Sequence, residues 1–255
     1  MLEARGLTRR FGDKTAVDDV SFEVADGQMT GFIGGNGAGK TTTMRMIMGV
    51  LEPSAGEALW NGEPMTREHR RRIGYMPEER GLYPKQPLID QLVYLAQLRG
   101  VAPAAARARG LELLERFGLG DRAKDKLEAL SLGNQQRVQI AASVIAEPDA
   151  LILDEPFSGL DPRAVDAMAD LLREFTSRGV PVLFSSHQLD LVDRLGDDRL
   201  AGDGRLFDGL AVGESRDDRG VHRVVVGRQH GLEVLRLDGP GRQVGRGGAG
   251  RSRAR

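Results

Sequence analysis

Met29 to Thr42 reads MTGFIGGNGAGKTT, a short apolar run entering a glycine loop that ends in Lys-Thr-Thr. Met29 to Ile33 has the character of a buried strand, and Lys40 to Val50 carries Met44, Ile47 and Met48 at helical spacing. Between them Gly34 to Thr41 fits G-x-x-x-x-G-K-[ST], in the strand, loop, helix context that its chemistry needs. Glycines let the backbone approach a phosphate closely, and a helix N-terminus favours anions. The N–H groups of Asn36, Gly37, Ala38, Gly39 and Lys40 are therefore expected to wrap phosphates. Lys40 would reach the β and γ phosphates of a nucleotide, and the Thr41 hydroxyl would bind Mg²⁺. At average composition the bare pattern arises by chance roughly once in a hundred chains of this length. Its flanking elements make a plain glycine turn a poor account.

Upstream, Leu2 to Phe11 and Val20 to Val24 alternate as half-buried strands around the turn-like Gly12-Asp13-Lys14. Downstream, strands are expected at Ala58 to Asn61 and at Arg72 to Met76, where Pro77 ends the segment. Arg67 to Arg72 reads as a solvated turn face. The pattern then turns helical: Leu88 to Arg99, Ala104 to Phe117, and a helix from about Gly133 with Val138, Ala141, Ala142 and Ile145 on one face. Strand character returns at Ala150 to Leu153 and Val180 to Phe184, with a Pro162-started helix to about Arg178 between them. Strands alternating with helices imply an α/β fold with a parallel sheet.

A second motif, Leu151-Ile152-Leu153-Asp154-Glu155, is an apolar strand ending in two carboxylates. Alone it reads as a strand ending in solvated acids. Beside a phosphate loop, Asp154 can hold Mg²⁺ through a water and Glu155 can orient an attacking water.

With these motifs the chain resembles an ATP-binding cassette (ABC) ATPase, the nucleotide-binding subunit of an ABC transporter, from about Leu2 to Leu195. GGNGAGKTT is close to the family's phosphate loop, and LILDEP resembles its second nucleotide motif. Ser158 to Asp161, SGLD, resembles the loop that follows and talks across the dimer. Phe11 stands where the family stacks an aromatic on adenine, and His187 in LFSSHQ where it places the histidine that senses the γ phosphate. LSLGNQQ, Leu130 to Gln136, is similar to the signature motif.

The resemblance implies a P-loop NTPase fold: a RecA-like core with an antiparallel β subdomain over 1–195, and an inserted α-helical subdomain at about 78–147. It implies ATP and Mg²⁺ as cofactors, with Gly34, Gly35, Asn36, Gly37, Ala38, Gly39, Lys40, Thr41 and Thr42 on the phosphates. Thr41, Asp154 and Glu78 fall to the metal, and Glu155, His187 and Lys40 to catalysis. Ser131 and Gly133 would serve a nucleotide held by a second subunit, so a homodimer or heterodimer is expected, with a separate transmembrane permease. Membrane contact would come through that partner alone, placing the chain on the cytoplasmic face of the cell membrane.

Two matches depart from the family pattern. The signature usually reads LSGGQ, whereas Leu132 and Asn134 stand here in place of a glycine and the glutamine. Glu78 replaces a glutamine that touches Mg²⁺ and couples to the membrane partner. GYMPEERGLYP with this signature variant resembles the sodium-efflux and antibiotic-resistance exporter branch. A soluble ABC-type ATPase acting on DNA or ribosomes is the competing reading, against which stands the lack of coiled-coil or zinc insertions and of a second cassette. A binding-only cassette with a degenerate signature is another.

Composition narrows the classes further. The 255 residues carry 36 Lys plus Arg against 37 Asp plus Glu, for a formal charge of -1, so no basic excess argues for nucleic acid. Cysteine is absent, which removes disulfides, zinc-thiolate clusters and thiol catalysis. His69, His222 and His230 show no metal-ligand spacing. No run approaches the roughly 18 apolar residues of a membrane span. Lysine disappears beyond Lys126, and residues 196–255 are rich in Gly, Arg and Asp, with Gly220 to Val226 alone resembling a strand. Two readings of this tail stay open: a flexible natural extension, disordered over Arg242 to Arg255, or a segment read out of frame from a GC-rich gene.

Overall fold

The structure is a computed structural model that describes residues 1–79 and 81–187, and the backbone strands 215–217, 220–228 and 231–234. Gln188-Leu189-Asp190, which reads in sequence as a helix start, and the disorder expected over Arg242 to Arg255 lie outside the described residues.

The N-terminal alternation forms a hairpin, β1 (Leu2–Phe11) and β2 (Lys14–Val24), turning at Gly12 with φ 56°. Leu2, Ala4, Leu7, Val17, Val20, Phe22 and Val24 all point into one core, which fixes the register. β4 (Ala55–Trp60) and β5 (Glu63–Pro64) extend the antiparallel sheet in the order β2-β1-β4-β5. A Cβ at Gly56 would stand 2.2 Å from the Gly6 carbonyl oxygen, so the crossing of β1 and β4 requires glycine there.

The second sheet runs β11-β10-β3-β8-β7-β6, from β3 (Met29–Gly34), β6 (Ile73–Met76), β7 (Ala150–Leu153), β8 (Val182–Ser186), β10 (Gly220–Arg228) and β11 (Gly231–Val234). β9 (Ser215–Asp217) pairs β10 beside it. β10, β3, β8, β7 and β6 are mutually parallel. β3, β7 and β8 are buried at every position, as expected of strands covered on both faces. The helices α1 (Lys40–Ile47) and α6 (Pro162–Ser177) follow β3 and β7. The strand expected at Gly220 to Val226 is β10, and it lies against β3 rather than in a detached tail.

Between β6 and β7 come α3 (Leu88–Gln97), α4 (Pro103–Arg116) and α5 (Leu132–Val144), as the inserted helical segment requires. Two expectations need correction. Arg67 to Arg72 is no turn: Arg67–Arg71 is the helix α2, because Thr66 and His69 form a reciprocal capping box. Arg70 donates to the Ile47 carbonyl at 2.9 Å, so this face is partly tied to α1. Nor is α5 a one-faced helix. Gln136, Val138, Gln139, Ile140, Ala141, Ser143 and Val144 are all buried, whereas Ala142 is only half-buried. It is a central helix, apolar or hydrogen-bonded most of the way round.

Candidate nucleotide site

Three neighbouring parallel strands release the chemical residues at their carboxyl ends, where ligands of open α/β sheets bind. β3 leads into the glycine loop, β7 into Asp154 and Glu155, and β8 into His187. Gly37 and Gly39 adopt left-handed φ of 83° and 89°, so the loop turns tightly into α1 without a steric penalty. The Lys40 ammonium folds back over this loop and donates to the carbonyls of Gly34 at 2.6 Å and Gly35 at 3.2 Å. It also lies 3.8 Å from Glu155 Oε1.

A cleft of about 790 Å³ opens over the loop. Asn36, Gly37, Ala38, Gly39, Lys40, Thr41 and Thr42 line it together with Phe11, Glu78 and Glu155. Phe11 is 49% exposed, and the Arg9 guanidinium stacks 4.6 Å from its ring centroid. That contact holds the ring in place by a cation–π attraction. Lys14, Thr15, Ala16, Val17 and Asp18 complete the lining. Sequence alone gave these five no role, since nothing separates them from ordinary strand residues.

The carboxylates divide their surroundings. Asp154 is fully buried, with Oδ1 accepting the Ser185 hydroxyl at 2.5 Å and Oδ2 left without a hydrogen-bond partner. Glu155 stands in left-handed backbone at φ 52°, and its Oε2 lies 2.9 Å from His187 Nδ1. Glu78 Oε2 accepts the Thr41 hydroxyl at 3.3 Å. Lys40, Glu155 and His187 thus form one polar group and Thr41 with Glu78 another, with buried Asp154 next to Glu155 in sequence. Tyr75, at the end of β6, has its phenol pKa pushed up by burial and then by the negative charge of Asp154. Ser185 and the glutamines of α5 are residues that sequence reading passed over. The only signal for Ser185 was its place two residues before His187.

Ser131 and Gly133 do not line the cleft. Ser131 is the N-cap of α5, its hydroxyl accepting the Asn134 N–H at 3.4 Å, and Leu132 beside it is 61% exposed. Gly133 sits so close to the SGLD loop that a Cβ would stand 2.8 Å from the Gly159 carbonyl oxygen. No helix among the described residues is long and apolar enough to cross a membrane.

Comparison with known proteins identifies the family. The family model of the ABC transporter ATP-binding region matches residues 17–158. The chain is 46% identical over 195 residues to YhaQ of Bacillus subtilis, an uncharacterized ABC transporter ATP-binding protein, over 76% of this chain and 65% of that one. A second such relative, from Alkalihalophilus pseudofirmus, is 47% identical, and the match spans 61% of its length. Nod factor export ATP-binding protein I of Burkholderia orbicola is 34% identical over 94% of this chain and 77% of its own. Among solved structures, an ATP-binding subunit of an ABC transporter is 34% identical at a TM-score of 0.70, covering 76% of this chain and 82% of that one. A dimeric bacterial ABC transporter cassette, 20% identical at a TM-score of 0.73, covers 93% of this chain and 100% of its own and shares the fold. The chain belongs to the ABC transporter ATP-binding family.

Proposed function

We propose that the chain is an ATP-hydrolysing subunit that powers export through a separate membrane permease, working as a head-to-tail pair of cassettes. One observation carries the pairing. Lys40 and Glu155 line a single cleft, with His187 2.9 Å from Glu155, whereas Ser131 and Gly133, the other nucleotide residues, are not among its lining and lie at the start of α5. A second subunit would bring its own Ser131 to this cleft, and ATP held between the two would join them. The relatives named for Nod factor export and for linearmycin resistance support an exporter.

Within the site, Phe11 would stack adenine and Gly34 to Thr42 would cradle the phosphates. Mg²⁺ fits the residues present: Thr41 and Glu78 offer hard oxygen donors together, and Asp154 Oδ2 is a buried, unpartnered acceptor. Bound there, the ion would neutralise phosphate charge. Glu155 would orient the attacking water, and His187 would hold the Glu155 carboxylate and meet the γ phosphate. Residues 1–195 would form the ATPase domain, its core sheet extended by β10 and β11, with a helical subdomain at about 78–147 as the permease-facing part and the cytoplasmic membrane face as its place of work. An alignment over 94% of the chain extends the likeness past residue 195, which supports counting 196–255 as an extension of the same protein. Translating the other two frames of its gene tests the out-of-frame reading of that segment.

The test of the whole proposal is ATP turnover together with affinity capture. Wild type should hydrolyse ATP and co-purify with a polytopic membrane protein. Glu155→Gln should still bind ATP and dimerise, with turnover lower by about 10² to 10⁴. Turnover of Glu155→Gln at the wild-type rate would remove Glu155 from the mechanism, and capture of ribosomes or DNA instead would remove transport.

A further inference from the structure

The backbone of Glu155 is held at both of its polar groups by residues that no part of the mechanism above uses. Its N–H donates to Ser185 Oγ at 2.8 Å, and its carbonyl accepts the Gln136 side-chain amide at 3.0 Å. Ser185 is fully buried and Gln136 nearly so. Gln136 also donates to the Pro156 carbonyl at 3.2 Å, which fixes the peptide that follows. Between these anchors Glu155 adopts φ 52°, a left-handed conformation that a side chain as long as glutamate seldom takes. The kink has a use: it carries the chain out of β7 so that the Glu155 carboxylate reaches both His187, at 2.9 Å, and Lys40, at 3.8 Å.

We propose that Ser185 and Gln136 are positioning residues for hydrolysis, clamping Glu155 in the left-handed conformation that aims its carboxylate into the cleft. The Ser185 hydroxyl has one proton, and it goes to Asp154 Oδ1 at 2.5 Å. Its oxygen is thereby free to accept from the Glu155 backbone N–H. That leaves Asp154 Oδ2 as the free oxygen of its carboxylate. Gln136 comes from α5, the helix that begins at Ser131. The aim of Glu155 in one subunit thus depends on the helix whose first turn meets the nucleotide of the other.

The inference rests on the proposed ATPase reading, and the experiment separates the two. ATP turnover, ATP affinity and ATP-dependent dimerisation are measured for full-length wild type, Ser185→Ala, Ser185→Thr, Gln136→Leu and Glu155→Gln, and for Ser185→Ala in the Glu155→Gln background. Ser185→Ala and Gln136→Leu should each lower kcat by up to about 10²-fold, the scale of a small misplacement of a reacting group. The KM for ATP should stay put, and the ATP-bound dimer should persist, as it does for Glu155→Gln. Ser185→Thr, which keeps the hydroxyl, should recover most of the rate. Adding Ser185→Ala to Glu155→Gln should cost nothing further in kcat. Wild-type kcat in both single variants overturns the clamp, as does equal loss of ATP binding and dimerisation, which is what a purely structural role predicts. Additive loss in the double variant overturns it also, because Ser185 would then act through Asp154. If wild type itself fails to hydrolyse ATP, the parent reading falls and the clamp with it.

Discussion

At the phosphate loop Lys40 is buried and bonded to two carbonyls of its own loop, while at the start of α5 Leu132 stands 61% exposed and Ser131 spends its hydroxyl on a long cap contact. One region is a finished pocket, with walls from β1, β2, α1 and the ends of β6 and β7. The other is an edge. The first gains its order from contacts within the chain, and so it should bind nucleotide as a monomer. The second leaves Leu132 exposed beside the SGLD loop, and it should matter most when two chains meet.

Variants on the two sides should therefore fail differently. Lys40→Ala has the largest expected effect: loss of a charged donor to the phosphates weakens ATP binding by about 10²-fold. Fluorescent-nucleotide titration of the monomer checks this, and retained affinity would break the comparison at once. Gly133→Val drives a side chain into the Gly159 carbonyl, 2.8 Å from where its Cβ would lie, at a stability cost of about 1–3 kcal/mol. Monomer ATP affinity should survive while turnover and ATP-driven dimerisation, followed by light scattering, fall steeply. Phe11→Ala should raise the Kd for ATP by about tenfold or less, the scale of one aromatic stacking contact. The same titration with inorganic tripolyphosphate, which has no base to stack, sharpens it, since the variant should lose its penalty there.

The smallest effect concerns Asp161, whose side chain caps α6 by accepting the Ala164 N–H at 2.9 Å and pairs with Arg137 at 2.5 Å. The Ala164 N–H first, and then the Arg137 charge, hold its carboxyl below the usual aspartate range. The folded state thus prefers the ionised form. Its contribution is fully present above the ordinary aspartate pKa of about 3.9 and fades as pH falls through the lower folded value. Asp161→Ala should lower the Tm modestly at pH 7, and the gap from wild type should close in acid. A gap that stays constant down to pH 3 would deny the cap its charge.

Much of this arrangement was legible in the chain. The glycine loop, LILDE and His187 are local in sequence, and each sits where a strand ends, so a short continuous apolar run followed by the motif locates them. Boundaries moved by only a few residues, as with Val182–Ser186 against the expected Val180 to Phe184. What stayed hidden depends on contacts between distant segments. Ser185 reads as an ordinary strand serine until β7 and β8 pair, which sets it beside Asp154. The α2 capping box is hard to see in sequence because arginines dominate Arg67 to Arg72, while the reciprocal pair that caps the helix is only Thr66 and His69. On α5, Gln136 and Gln139 interrupt the apolar pattern, yet both are buried and bonded to loop carbonyls, which no periodicity argument anticipates.

The parallel pairing of β3 with β8 has a consequence for how the molecule is made. Met29 lies opposite Val182, so roughly 150 residues must be synthesised and arranged before the glycine loop meets the strand that carries His187. Such a long closure is entropically slow and comes late. The histidine, the carboxylates and the lysine cannot therefore stand together in a half-folded chain. A nucleotide that needs all of them would select completed molecules and, by mass action, hold them folded.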